Sequence, residues 1–219
     1  MMSMTPMNSL HACVLLVILP MAAALGAQQT SGLPPVHGLQ TATRAAVLGG
    51  TAAAPQGAGW THFVSATYRY SAWYPPGWRQ MSTLDSIYIA DFPQSQAGTG
   101  SVIPEQGAVI SVGPTEVQGT ISEQINAELN HAGVKSPILD QTLETGLKDP
   151  DAPTTLRQVE YYDNFGTATD PILQHVTVFY CEVHGRIFEV VLLYWRDNKN
   201  AKMLEGEALA IARTLRISK

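Results

Sequence analysis

The sequence predicts an α/β domain of the α+β type, a sheet held between helices in a three-layer α/β/α sandwich. Three observations carry this. Residues 173–195 form two β-rich runs meeting at His184-Gly185, and the resulting hairpin is apolar on both faces at its far end, so it wants cover on both sides. Residues 120–133 and 197–215 carry amphipathic helical patterns able to supply cover. At Trp60 the composition turns abruptly from Gln, Thr, Ala, Gly and Pro to aromatic and β-branched residues.

In chain order, the first segment is a leader, residues 1–27. Its apolar run, 12–27, is shorter than the roughly 20 residues a spanning helix needs but fits a signal peptide, and Ala24-Leu25-Gly26 sets small residues where a signal peptidase reads them. Lys and Arg are missing before the run, where only His11 stands, so the orienting charge is left to the α-amino group. Cys13 does not follow the run, as a lipoprotein signal would require. The expectation is export, to the periplasm or the extracellular space, with no membrane span after cleavage; an uncleaved leader would anchor the domain in the same compartment. Residues 28–59, broken by Pro34-Pro35, Gly49-Gly50 and Pro55-Gln56-Gly57, contain too few large apolar side chains to offset the entropy of ordering. They read as a mobile tether, with at most one weak helical turn at 43–48.

The globular domain is expected over 60–219. Tyr68, Tyr70 and Tyr74 suggest a strand ending at Pro75-Pro76-Gly77, where prolines remove ladder donors and glycine allows a sharp turn. Residues 87–92 are the next strand, 93–106 a Gly/Ser/Gln-rich loop, and 107–113 a short apolar run between breakers, as a buried strand should be. A helix follows: Thr120 and Glu123 make a capping box, Ile121, Ile125 and Leu129 share a face, and Gly133 stands where a left-handed C-terminal residue is wanted. Residues 138–145 and 155–162 read as two more strands. With a turn at His184-Gly185, Val183 faces Arg186, Cys181 faces Phe188, Phe179 faces Val190, Thr177 faces Leu192 and His175 faces Tyr194. The last element is a helix capped at Asp197-Asn198, with Leu204, Ala208, Ile211, Ala212 and Leu215 as its apolar stripe.

Charge and cysteines set exclusions. With 13 basic against 18 acidic residues, a net charge of −5 and no basic cluster, nothing favours nucleic acid or an anionic membrane as partner. Cleavage of the leader removes Cys13 and leaves Cys181 alone, so the mature chain forms no internal disulfide. About 160 residues suffice for an unstapled core.

Few residues suggest chemistry. Cys181 and His184 have a spacing that could make a thiol–imidazole pair, but the hairpin register points Cys181 into the apolar face and leaves His184 in the turn. Glu182 and Glu189 are diagonal neighbours, close enough for paired acid/base work, yet they lie near a solvated hairpin tip. His62, His131, His175 and His184 fall on separate elements without ligand-presetting spacing, so no metal and no cofactor is implied. The aromatics Tyr70, Trp73, Tyr74 and Trp78 are the candidate ligand-binding residues, because clustered aromatics can grip an apolar or sugar ligand.

Tyr70-Ser71-Ala72-Trp73-Tyr74-Pro75-Pro76-Gly77-Trp78, then Gly107-Ala108-Val109-Ile110-Ser111-Val112 after a loop, a helix, a closing hairpin and a C-terminal helix together resemble the PsbP-like family. The resemblance spans most of 60–219 and implies an α/β/α sandwich whose sheet is largely antiparallel. It also implies an exported or organelle-luminal accessory role without enzymatic activity, a distant branch binding a nuclear-import GTPase. The matching positions are structural aromatics, prolines and glycines, so no catalytic residue is carried over. The expected function is a non-enzymatic exported accessory or binding protein whose partner is an envelope protein or a small apolar ligand. The alternative is a secreted hydrolase using Glu182/Glu189 or Cys181/His184. Oligomeric state is not encoded in these features.

Overall fold

Alternating burial along Tyr70–Tyr74 turns Tyr70, Ala72 and Tyr74 inward and leaves Ser71 and Trp73 facing out; this period-two pattern is what a sheet with one covered face requires. The computed structural model describes residues 59–81, 85–93, 103–115, 119–164 and 172–219. The leader, the tether up to residue 58 and positions 94–102 of the expected loop lie outside the described residues.

Among the described residues ten strands and two helices follow one another as β1 (Thr61–Ser65), β2 (Tyr70–Tyr74), β3 (Arg79–Gln80), β4 (Ile87–Ala90), β5 (Ala108–Pro114), α1 (Ile121–His131), β6 (Leu139–Glu144), β7 (Thr155–Asn164), β8 (Leu173–Val183), β9 (Arg186–Trp195), α2 (Ala201–Thr214) and β10 (Arg216–Ile217). A small sheet has the order β1-β2-β10 and a seven-stranded sheet the order β3-β4-β5-β9-β8-β7-β6. Every pairing among the described residues is antiparallel. This is a mixed α+β fold, mostly antiparallel sheet with two helices.

The hairpin β8–β9 has the register read from the sequence, from Val183 opposite Arg186 to His175 opposite Tyr194. His184 (φ 55) and Gly185 (φ 71) both adopt the left-handed backbone that a tight two-residue turn demands. One face of the hairpin, with Phe179, Cys181, Phe188, Val190, Leu192 and Tyr194, joins the core formed with β2 and with Leu204, Ala208, Ile211 and Ala212 of α2. On the other face Val176, Val178 and Tyr180 meet Val159, Tyr161 and the α1 residues Ile125 and Leu129. α1 begins with the expected capping box, both reciprocal bonds between Thr120 and Glu123 being present.

Five elements differ from expectation. β1, β3 and β10 were not anticipated: β1 lacks a clean apolar alternation, and β3 and β10 are two residues long. The cap of α2 is not Asp197-Asn198 but Asn200, which makes no side-chain capping bond. Asn198 is instead committed to the preceding turn, its Nδ2 donating to the Gly107 carbonyl at 3.3 Å and its Oδ1 accepting from the Asn200 amide at 2.8 Å. β4 stops at Ala90, and the next residue, Asp91, accepts a 2.7 Å side-chain bond from the Ala108 amide.

Candidate functional site

The segment richest in aromatics divides by strand phase. Tyr70 is fully enclosed, and its hydroxyl donates to the Val112 carbonyl at 2.8 Å and accepts from the Ile87 amide at 2.9 Å. Tyr74 and Trp78 are buried, and the Trp78 Nε1–H donates to Glu207 Oε2 on α2 at 2.8 Å. Trp73 alone of the four is half-buried, because it occupies an outward position of β2. It stacks on His62, its register partner on β1, with ring centroids 4.5 Å apart and planes at 23°. Burial by this stack lowers the His62 pKa, since desolvation disfavours the imidazolium. Val64 and Ser71 share that outward face, and Val64 is exposed. The Trp73 indole Nε1–H is buried and has no hydrogen-bond partner among the described residues.

The two reactive pairs take up separate environments. Cys181 lies in the main core opposite Phe188, and burial pushes its thiol up to about 12, so the thiolate is scarce at neutral pH. His184 in the turn is engaged elsewhere, its Nε2 standing 2.8 Å from Asp151 Oδ1. Glu182 is exposed opposite Ile187 and Glu189 partly buried opposite Tyr180.

A third constellation escaped the sequence reading. Glu160 on β7, His175 on β8 and Glu205 on α2 bring one ligand-capable atom each to within 4.8 Å of one another. The β7–β8 register sets Glu160 opposite Thr177, so Glu160 and His175 share the face that α2 covers. Gln158 Nε2 donates to Glu160 Oε1 at 2.6 Å, and Gln141 Nε2 donates to Gln158 Oε1 at 2.9 Å. Glu160 Oε2 lies 3.4 Å from His175 Nε2, but Nε2 is buried without a hydrogen bond. His175 Nδ1 meets the Tyr194 hydroxyl at 2.7 Å, and that hydroxyl donates to Glu205 Oε1 at 2.6 Å. Burial, then the hydrogen bond to the Glu205 carboxylate, raises the Tyr194 pKa and keeps the phenol protonated. The only part of this set visible in the sequence was His175 opposite Tyr194, because local spacing rules do not register ligands that come from three distant elements.

No family model matches the chain, and no curated protein matches it. Among solved structures it is similar to a crystal structure from Bacteroides thetaiotaomicron, at 15% identity and a TM-score of 0.41, covering 72% of this chain and 48% of that one; this chain thus spans about half that protein's length. It is similar to the cyanobacterial PsbP (CyanoP) of Synechocystis at 11% identity and a TM-score of 0.44, covering 77% of this chain and 98% of that one. LpqN, involved in cell envelope biogenesis of Mycobacterium tuberculosis, aligns at 11% identity with a TM-score of 0.27, covering 75% of this chain and 82% of that one. These likenesses transfer no ligand or activity. No helix among the described residues is long and apolar enough to cross a membrane.

Proposed function

We propose that the chain is an exported, non-enzymatic accessory or binding protein, with a leader over 1–27, a tether over 28–59 and a binding domain over 60–219. In this reading the domain is a three-layer α/β/α sandwich, α1 and α2 cladding opposite faces of the large sheet. Its partner is an envelope protein or a small apolar ligand. The observation that carries the reading is the outward stack of Trp73 on His62, beside exposed Val64. A half-buried aromatic plane beside an exposed valine suits an apolar partner surface. Of the four aromatics expected to bind, Trp73 makes this contact, while Tyr70, Tyr74 and Trp78 hold it in place from the buried side.

The test immobilises the full chain, wild type and Trp73→Ala, and exposes both to the native envelope fraction. The reading expects a component retained by wild type and reduced about tenfold or more by the variant at an unchanged melting temperature. Equal retention by both proteins overturns the role of this face.

A further inference from the structure

Glu160, His175 and Glu205 bring one ligand-capable atom each to within 4.8 Å of one another. The Tyr194 hydroxyl has one proton, and it goes to Glu205 Oε1. Towards His175 Nδ1, 2.7 Å away, the same hydroxyl can therefore only accept, which puts the imidazole proton on Nδ1. The neutral ring then presents a bare lone pair at Nε2, and this is the atom that is buried without a hydrogen bond. Opposite it stands Glu160, held through its other oxygen by Gln158. Glu160 is only 9% exposed and the His175 side chain 12%. An enclosed carboxylate and an enclosed lone pair, with the partly exposed Glu205 carboxylate beside them, cost free energy unless a positive charge lies among them.

We propose that Glu160, His175 and Glu205 form a binding site for one divalent transition cation of the zinc class. One imidazole nitrogen with carboxylate oxygens is a donor set for such ions, whereas calcium takes an all-oxygen shell of higher number. A divalent charge neutralises the two carboxylates. The partners of the ligands are also those a metal site needs: Tyr194 fixes the His175 tautomer and Gln158 orients Glu160, as outer-shell groups do around bound metals. A second buried polar atom without a partner, Thr177 Oγ1, lies on the residue directly opposite Glu160. Because the ligands come from β7, β8 and α2, a bound cation cross-links the helix to the large sheet.

The site stands apart from the Trp73 face, and neither reading depends on the other. The test uses the purified full chain, stripped by chelator and titrated with zinc chloride by calorimetry, with thermal unfolding as the second readout. Expected are about one equivalent of saturable uptake and a raised melting temperature. Glu205→Gln and His175→Gln should abolish both, and Tyr194→Phe should weaken uptake by about 10–100-fold. Glu205 lies on the partly exposed surface of α2, so its variant tests the site even where a His175 variant does not fold. Overturning results are no saturable uptake, or uptake unchanged in Glu205→Gln.

Discussion

The Tyr70 hydroxyl donates to the Val112 carbonyl at 2.8 Å, and through the Ile87 amide the same oxygen also reaches the neighbouring strand. One buried side chain of the small sheet thereby closes on both β4 and β5 of the large one. Tyr70→Phe keeps the ring and its edge contact with Phe188 but leaves a buried N–H and a buried C=O without this partner. The expected cost is about 2–3 kcal/mol, read from the urea midpoint; a loss below about 0.5 kcal/mol contradicts the bridge.

Trp78 is expected to couple energetically to α2. Its Nε1–H donates to Glu207 Oε2, a bond to a charged acceptor in a half-buried setting. A double-mutant cycle of Trp78→Phe and Glu207→Ala should return a coupling of about 1–2 kcal/mol. Additive losses would mean that Trp78 stabilises by packing alone.

The hairpin turn makes a backbone prediction. A Cβ at Gly185 would meet nothing within 4 Å, yet φ is +71. Gly185→Ala is therefore destabilising through conformation and not through collision, by about 1 kcal/mol. An unchanged melting temperature would show that the turn re-forms in another geometry.

Alkaline pH should destabilise the fold. Burial pushes the Cys181 thiol from 9.0 up to about 12 and raises the Tyr70 and Tyr180 phenols above 10.0. These groups stay protonated in the native state where the unfolded chain has lost the protons. Their stabilisation is complete below about pH 9 and is lost as pH rises towards the folded values. Denaturation at about pH 10.5 should give a stability lower by about 1 kcal/mol or more than at about pH 8. In the same protein Cys181 should resist iodoacetamide at neutral pH until the chain unfolds; rapid native-state alkylation would restore the thiol as a candidate nucleophile.

What the sequence makes legible depends on how local the signal is. The β8–β9 register follows from two turn residues and strict alternation, and α1 from a capping box four residues long. The stripe Leu204, Ala208, Ile211 and Ala212 marks the buried side of α2 as expected. β10 could not be read, since Arg216–Ile217 is a strand only because β2 lies beside it. The same limit applies to the sites. Aromatic clustering pointed to the Tyr70 to Trp78 segment, but which ring faces out depends on the pairing of β2 with β1 and on the cover that α2 provides. The Glu160, His175 and Glu205 cluster needs the β7–β8 register and the phase of α2 together, neither of which any short motif contains.

The central claim, an exported binding domain, is tested most directly by fractionating cells that express the full chain and measuring the intact mass of the protein recovered. The account predicts a species in the periplasmic or extracellular fraction whose first residue lies just beyond the apolar run, close to Gln28. Recovery of the chain in the cytosol with its leader intact would contradict it.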